Sequence, residues 1–426
     1  MPSAELSLMR VIARGNILGG KVTNMVPKRD TDPIEGRIRA MCERVNGIQQ
    51  SDYYYYNIPI SKLNGTATVV VDGREMSMFA SYSYLGLIGH PRIDAAARKA
   101  IDDFGTGTHG VRTLAGTLTL HTEMEATIAE FKGTDDAVTF SSGYVTNLTA
   151  ISSLVGRHDC VFSDKLNHAS IVDGCLMSGS KFTRFRHNDM DDLAARLKDA
   201  PSQAAKLVIC DAVFSMDGDI IDLPRVVELC KENDAWLMID EAHSLGVLGE
   251  TGRGIEEYYN MEGAIDIKMG TLSKTIPSVG GYIAGSADLI KYLRHQSRAY
   301  IFSAALPPAQ AAAAMESFRV ILDEPWRVKQ LRENTKLFIN GLKERGFDTM
   351  KTETAIVPLL CGTDEKAFEM TSACHKRDLF VLPVISPAVP EGLARLRTTV
   401  TASHEPEQIE RALDIFEQVG KQVGVL

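Results

Sequence analysis

The chain has 426 residues, enough for two to four compact units that each bury a core. Its 44% hydrophobic and 24% charged residues match a soluble globular protein and exclude a disordered, collagen-like or fibrous one. Acidic residues outnumber basic ones by 55 to 46, a formal net charge of −9 and the opposite of what a nucleic-acid coat or a polybasic membrane binder needs.

The N-terminus, MPSAELSLMRVIARGNILGG, carries Glu5 early and has no sustained apolar segment ending in a cleavage-like site, so no secretory signal is expected. Arg10, Arg14 and Lys21 leave organelle import as the minor alternative to a cytoplasmic location. No apolar run reaches the roughly 20 residues of a membrane-spanning helix. Cys42, Cys160, Cys175, Cys210, Cys230, Cys361 and Cys374 are odd in number and never form CxxC, which fits reduced thiols better than a disulfide frame or a zinc site, and no metal is expected.

Residues 1 to about 60 read as an appended arm, basic-polar and without a clear long period, ending in the cluster Tyr53–Tyr54–Tyr55–Tyr56. With no basic groove beside it, that cluster suits packing or a subunit contact rather than stacked bases. From residue 61 to 307 short β-branched runs alternate with helix-like stretches. Strands are expected at 136–140, 159–163, 206–214, 235–240, 267–273 and 281–286, and helices near 91–103, 119–132, 144–155, 189–199 and 224–233. Such alternation predicts an α/β domain with a mostly parallel sheet covered on both faces. Residues 308–426 change texture, with long amphipathic helices over 308–322 and 326–345, short strands around 356–360 and 396–400, and a last helix from about 405 to 420. They read as a smaller C-terminal α+β domain.

One glycine pattern is a decoy. Gly105, Gly107 and Gly110 have the GxGxxG spacing, but a helix-like stretch precedes them and a loop follows, the reverse of the dinucleotide-binding context. They read as a loop where backbone approaches a ligand or a partner chain.

Three other segments carry chemistry. The strand AWLMI runs straight into Asp240, with Glu241 and His243 behind it, and the C-terminal end of a parallel strand is where α/β proteins place ligands. IKMGTL delivers Ser273 and Lys274 into a turn-rich stretch. An ε-amine near an aspartate-anchored cationic ring is what Schiff-base chemistry uses, once burial and neighbours lower its pKa. SSGYVTN follows a strand and opens a helix, so the backbone N–H groups of Gly143 and Tyr144 face an anion at the positive end of a helix dipole. Lysine, acid and phosphate donors together complete the set that pyridoxal 5′-phosphate (PLP) requires.

These residues resemble the α-oxoamine synthases, PLP-dependent enzymes of the aminotransferase-like fold type I, over about residues 60 to 420. The likeness rests on SYSYLGLIGHP, GTGTHGVRTLAGT, SSGYVTN, DKLNHASIVDG, DAVFSMDGD, IDEAHSLGVLGETGRG, GTLSKTIPSVGG, YIFSAALPP and ARLRTTVTASHE, in the family's order. It implies that Lys274 carries the cofactor, that Asp240 partners the pyridine nitrogen, and that His243 and Ser215 bond the phenolic oxygen. It further implies that His168 stacks on the ring and that Thr271 binds phosphate. Ser303 would contact the phosphate from a neighbouring subunit, making a homodimer with a shared active site. Arg397 would hold the amino acid's carboxylate, with Arg395 pointing the same way. The implied reaction condenses a small amino acid with an acyl thioester of coenzyme A or an acyl carrier protein, releasing an α-aminoketone, carbon dioxide and a thiol, with Lys274 as acid/base and His168 hydrogen-bonding substrate.

The motifs look nearest to bacterial serine palmitoyltransferase, which favours serine, with glycine or alanine as alternatives. Ser83 stands where that subgroup usually has asparagine, which makes it a candidate substrate contact. Two other readings use the same residues: a fold-related aminotransferase or amino-acid lyase, and a non-catalytic partner subunit. Coupled release of thiol and carbon dioxide separates the first, and a visible cofactor band the second.

Overall fold

A computed structural model of the protein describes residues 33–426 apart from Asp52. The expectations about signals in residues 1–32 lie outside the described residues. Within the expected arm, Pro33–Gln49 form a helix that buries no residue. Packing therefore contributes little to it, and its apolar periodicity is correspondingly weak in the sequence. Tyr53 and Tyr55 pack on Phe368, with ring centroids 5.6 and 6.3 Å away, so half of the tyrosine cluster is spent on packing.

Strands β1 (Lys62–Leu63), β2 (Thr68–Val71) and β3 (Arg74–Met78) form a short antiparallel meander. The central sheet takes β4 (Asp136–Phe140), β5 (Cys160–Asp164), β6 (Lys181–Phe185), β7 (Lys206–Asp211), β8 (Trp236–Asp240), β9 (Ile267–Thr271) and β10 (Gly281–Gly285), in the order β4-β10-β9-β8-β7-β5-β6. Every pairing is parallel except those of β10, which runs antiparallel to both its neighbours. Strands β9 and β10 are buried along their whole length, and β7 and β8 from their second residue on. Helices cover both faces, which is why these strands read as continuous apolar runs rather than alternating ones.

Helices Pro91–Phe104, Thr119–Lys132 and Pro308–Asp323 pack together, with Phe131 and Phe318 edge to face at 5.1 Å. Each ring is fully buried and contributes about 2–3 kcal/mol by leaving water. Toward the C-terminus, β11 (Ile356–Gly362), β13 (Pro383–Val384) and β14 (Ala394–Thr399) form a sheet in the order β11-β14-β13. Strand β12 (Leu379–Phe380) instead joins β3, in parallel. Helix Asp364–His375 packs on these strands and against helix Pro406–Val423, which in turn packs on helix Trp326–Glu344.

Helices at 169–178, 287–296 and 364–375 and strand β6 are additional to the sequence expectations. The glycine stretch is a loop, as read: it leaves a helix at Phe104, and Gly105 and Gly110 have φ of 76° and 139°. Among the described residues no helix is long and apolar enough to cross a membrane.

Candidate active site

The C-terminal ends of β7, β8 and β9 converge with the N-termini of two helices. Asp211 and Asp240 end adjacent parallel strands and lie opposite each other in register. The chain leaves β8 into a turn held by Asp240, whose Oδ1 accepts from the Ala242 N–H at 2.9 Å. That turn brings His243 back over the sheet. After β9 the segment 272–280 bends through Ser278, which donates to the Leu272 carbonyl at 2.9 Å, and so directs Lys274 toward the same point.

There, Lys274 Nζ lies 2.8 Å from His243 Nε2, and the other ring nitrogen lies 2.6 Å from the Tyr84 hydroxyl. Burial pushes the Tyr84 hydroxyl up to about 12, so it keeps its proton and donates it to His243 Nδ1. His243 is held well below the usual histidine range by burial and by the nearby Lys274 and Arg397 charges, which keeps the ring neutral. A neutral ring that accepts at Nδ1 carries its hydrogen on Nε2 and presents it to a neutral amine. Burial pushes the Lys274 pKa down to about 8, with Asp240 opposing and Arg397 reinforcing the shift, so the amine reaches that neutral form above about pH 8. A lowered lysine beside a buried aspartate is the pairing that imine chemistry needs.

Asp240 is 5% exposed, and its Oδ2 accepts from Asn147 Nδ2 at 2.7 Å. The same amide donates to Ser170 Oγ at 3.0 Å, and Ser170 Oγ lies 2.7 Å from His168 Nδ1. A chain of side chains thus links Asp240 to His168. His168 caps the helix Ala169–Ser178 and remains solvent-exposed at the rim.

Arg397 reaches in from β14. Its Nε donates to the Ser215 carbonyl at 2.6 Å and its Nη1 to Thr399 Oγ1 at 3.2 Å, but its buried Nη2 has no partner. A buried guanidinium with a free N–H edge is a receptor for a carboxylate. The Tyr82 ring stands 4.8 Å from the Arg397 guanidinium, 5.7 Å from Lys274 Nζ and 5.9 Å from the His243 ring. Ser83, beside it, has a buried hydroxyl with no partner. Arg395 turns elsewhere, to the Asp217 carboxylate and the Met216 carbonyl.

A second lobe suits an anion. Ser142 caps the helix Gly143–Leu154 by accepting from Val145 N–H at 3.2 Å, so the N–H groups of Gly143 and Tyr144 have no acceptor within the helix. A Cβ on Gly143 would lie 2.9 Å from Thr271 Oγ1, so only glycine lets this helix end come so close to the threonine. Thr271 Oγ1 in turn lies 2.9 Å from Ser273 Oγ. The Tyr144 hydroxyl turns away to donate to Asp173. Ser303 lines a small cavity with Arg112, Phe140 and Ser141, and no direct hydrogen bond joins it to Lys274 or Thr271.

These groups fit PLP: a depressed lysine, a buried acid for a ring nitrogen, a glycine-lined helix end for phosphate, and an orphaned Arg397 N–H for substrate. Sequence reading missed Asn147, Ser170, Tyr82, Tyr84 and Asp211. Each stands inside a segment quoted for the resemblance, and Asn147 follows Gly143 by four positions, one turn along the same helix face.

Fold and site together define a PLP-dependent enzyme of the class I and II aminotransferases, whose family model matches residues 74–416. Within that class the chain belongs to the α-oxoamine synthases, acyltransferases that join an amino acid to the acyl group of a thioester. It is 43% identical over 358 residues to the 8-amino-7-oxononanoate synthase of Thermoanaerobacter pseudethanolicus, covering 84% of this chain and 91% of that one. It is 41% identical over 381 residues to the serine palmitoyltransferase of Sphingobacterium spiritivorum, covering 89% and 95%. Among solved structures, an SPT with a PLP internal aldimine superposes with a TM-score of 0.89 at 36% identity, covering 93% of this chain and all of that one. Sphingomonas wittichii serine palmitoyltransferase gives the same TM-score and coverage at 34% identity.

Proposed function

We propose that this enzyme condenses serine with an acyl thioester of coenzyme A or an acyl carrier protein, with glycine and alanine as the competing amino acids. The unpartnered Nη2 of Arg397, buried within the electrostatic reach of Lys274, carries this reading. A carboxylate docked there sets an amino acid's α-carbon within range of the lysine. The exposed Tyr82 ring lies over the amine, and the unpartnered Ser83 hydroxyl offers a polar contact for a serine side chain.

When bound, PLP supplies the electron sink that lets the α-proton leave as a base removes it. Asp240, fixed by Asn147 and the Ala242 N–H, is placed to hold a proton on a ring nitrogen. His243, its tautomer set by Tyr84, donates to the oxygen or nitrogen before it. Ser215 would contact the phenolic oxygen. Thr271 and the Gly143 and Tyr144 amides would hold the phosphate, and His168 would lie against the ring from the rim. Lys274 removes and returns the α-proton as the neutral amine that burial favours. His168, free at its outer nitrogen, hydrogen-bonds the thioester carbonyl or the substrate carboxylate.

A homodimer in the cytoplasm completes the proposal, with Ser303 turned toward the partner's phosphate site. Leu114 and Phe302 are 84% and 72% exposed on segments joined by the Val111–Ala304 bridge, two apolar side chains that a second copy would cover. Six of the seven cysteines are buried and all seven are unpaired, as suits a reducing compartment.

The test is mass spectrometry of products from serine, glycine and alanine with acyl-CoA and acyl-carrier thioesters of graded length. A serine-derived aminoketone with matched thiol and carbon dioxide is expected. Amino-group transfer without thiol release would overturn the reading. Sedimentation checks the dimer, which a fully active monomer would contradict.

A further inference from the structure

Behind the site lies a second charged cluster with no part in the chemistry above. His187 follows β6 and is clasped between two carboxylates, with Nδ1 3.1 Å from Asp164 Oδ1 and Nε2 2.9 Å from Asp219 Oδ2. Its ring packs edge-on against Phe214 at 4.4 Å. A histidine that faces an anion at both nitrogens must donate from both, and only the imidazolium does so. Burial disfavours that charge, yet the hydrogen bonds and charges of Asp164 and Asp219 outweigh it and lift the pKa to about 10.

The two carboxylates belong to segments that lead into the site. Asp164 ends β5 four residues before His168, and it also accepts from the Leu166 and Asn188 N–H groups, each at 2.8 Å. Asp219 closes the loop 214–219, accepting through its carbonyl from Phe214 N–H at 3.1 Å. That loop is where Arg397 leans, on the Ser215 carbonyl, and where Arg395 is tied, to Met216 and Asp217. At its tip, Gly218 has a φ of 74° and a Cβ there would fall 2.1 Å from the Ile356 carbonyl oxygen, so the loop sits directly on β11.

We propose that His187 is a positioning residue for the amino-acid site: its imidazolium fastens loop 214–219 to the end of β5, and the fastened loop holds Arg397 at the angle that leaves its Nη2 open. This rests on the reading of Arg397 as the carboxylate receptor. His187, Asp217 and Asp219 also bring ligand atoms within 4.8 Å of one another, as a cation site does. Here, however, the ring already spends both nitrogens on carboxylates and Asp217 is paired with Arg395, so a proton serves where a metal would.

The experiment compares wild-type holoenzyme with His187→Gln, which keeps a polar side chain but cannot donate to both carboxylates. Three readouts are taken: amide exchange over 214–219 and 394–399, the spectral dissociation constant for serine without thioester, and turnover. Exchange in both segments should speed up and serine affinity should fall about tenfold, with kcat within about threefold and the cofactor content and band unchanged. His187→Gln with Asp219→Asn, which removes the unpaired charge, should recover part of the lost protection. Asp219→Asn alone gives the same split if His187→Gln does not accumulate.

Unchanged exchange in these variants would sink the clamp. So would loss of serine affinity in wild type after dialysis against EDTA with recovery on adding zinc, manganese or calcium, since a metal would then hold the loop. Arg397→Lys runs alongside. If it leaves serine affinity unmoved while His187→Gln still loosens the loop, the carboxylate reading of Arg397 is overturned and the clamp stands.

Discussion

Asp211 and Asp240 end neighbouring strands side by side, yet only Asp240 has both carboxylate oxygens hydrogen-bonded. Asp211 accepts from the His168 N–H at 3.1 Å through Oδ2 and leaves Oδ1 buried without a partner. Burial, with Asp240 adding to it, raises its pKa well above the usual carboxylate range. Two aspartates at one strand end therefore divide the work. One is fixed by two hydrogen bonds to face a ring nitrogen, and burial drives the other toward its neutral form.

Asp211→Asn should for that reason be mild. An aspartate whose folded pKa is raised loses stability as pH rises from the unfolded value toward the folded one. The variant removes that loss, so it should melt at or above the wild-type temperature near neutrality and show a flatter stability profile above about pH 4. A melting point far below wild type would mean that the carboxyl is charged.

Tyr84→Phe removes the donor to His243 Nδ1 and leaves a buried nitrogen unsatisfied, at a cost of about 1–3 kcal/mol. It also frees the ring to place its hydrogen on Nδ1, which withdraws the donor from Lys274. Thermal melts should show the loss, and turnover should fall with an altered pH profile.

Lys274 gives a pH signature in the cofactor-free protein. Its folded pKa of about 8 lies below the ordinary 10.5, so the charged form penalises the fold by about 3 kcal/mol. The penalty is full below pH 8 and fades as pH rises to 10.5, so apoprotein stability should increase across that window. Lys274→Met should abolish the increase and also the capacity to be labelled by PLP and borohydride. Label recovered on another peptide would refute the assignment of this lysine.

Asn147→Leu strips Asp240 Oδ2 of its side-chain donor and cuts the chain to Ser170 and His168. Loss of one hydrogen bond to a charged group is worth about 1.5–3 kcal/mol. Activity should fall by one to two orders of magnitude and PLP affinity should weaken, both checked by titration of the apoenzyme.

Much of this architecture could be read in advance because its signals are local. Helix Thr119–Lys132 and strand β4 fall on the expected spans, the helix ended by the left-handed Gly133 and the strand marked by its apolar, β-branched run. What escaped depends on contacts distant in sequence. Helix Asp364–His375 has a weak apolar periodicity and is held by the sheet beneath it, and the reversed direction of β10 has no composition of its own. The site behaved likewise. Lys274 and Asp240 announce themselves at strand ends, whereas Tyr84 and Asn147 matter only because folding sets them against His243 and Asp240.

The parallel pairing of β3 with β12 ties Ser77 to Leu379, about 300 residues apart in a chain of 426. Contacts so distant in sequence are made late and slow folding. A ribosome must therefore release almost the entire polypeptide before this seam can close and β14 can deliver Arg397. A truncated translation product ending before residue 379 would bring Lys274 and Asp240 to the sheet with no receptor for the substrate's carboxylate.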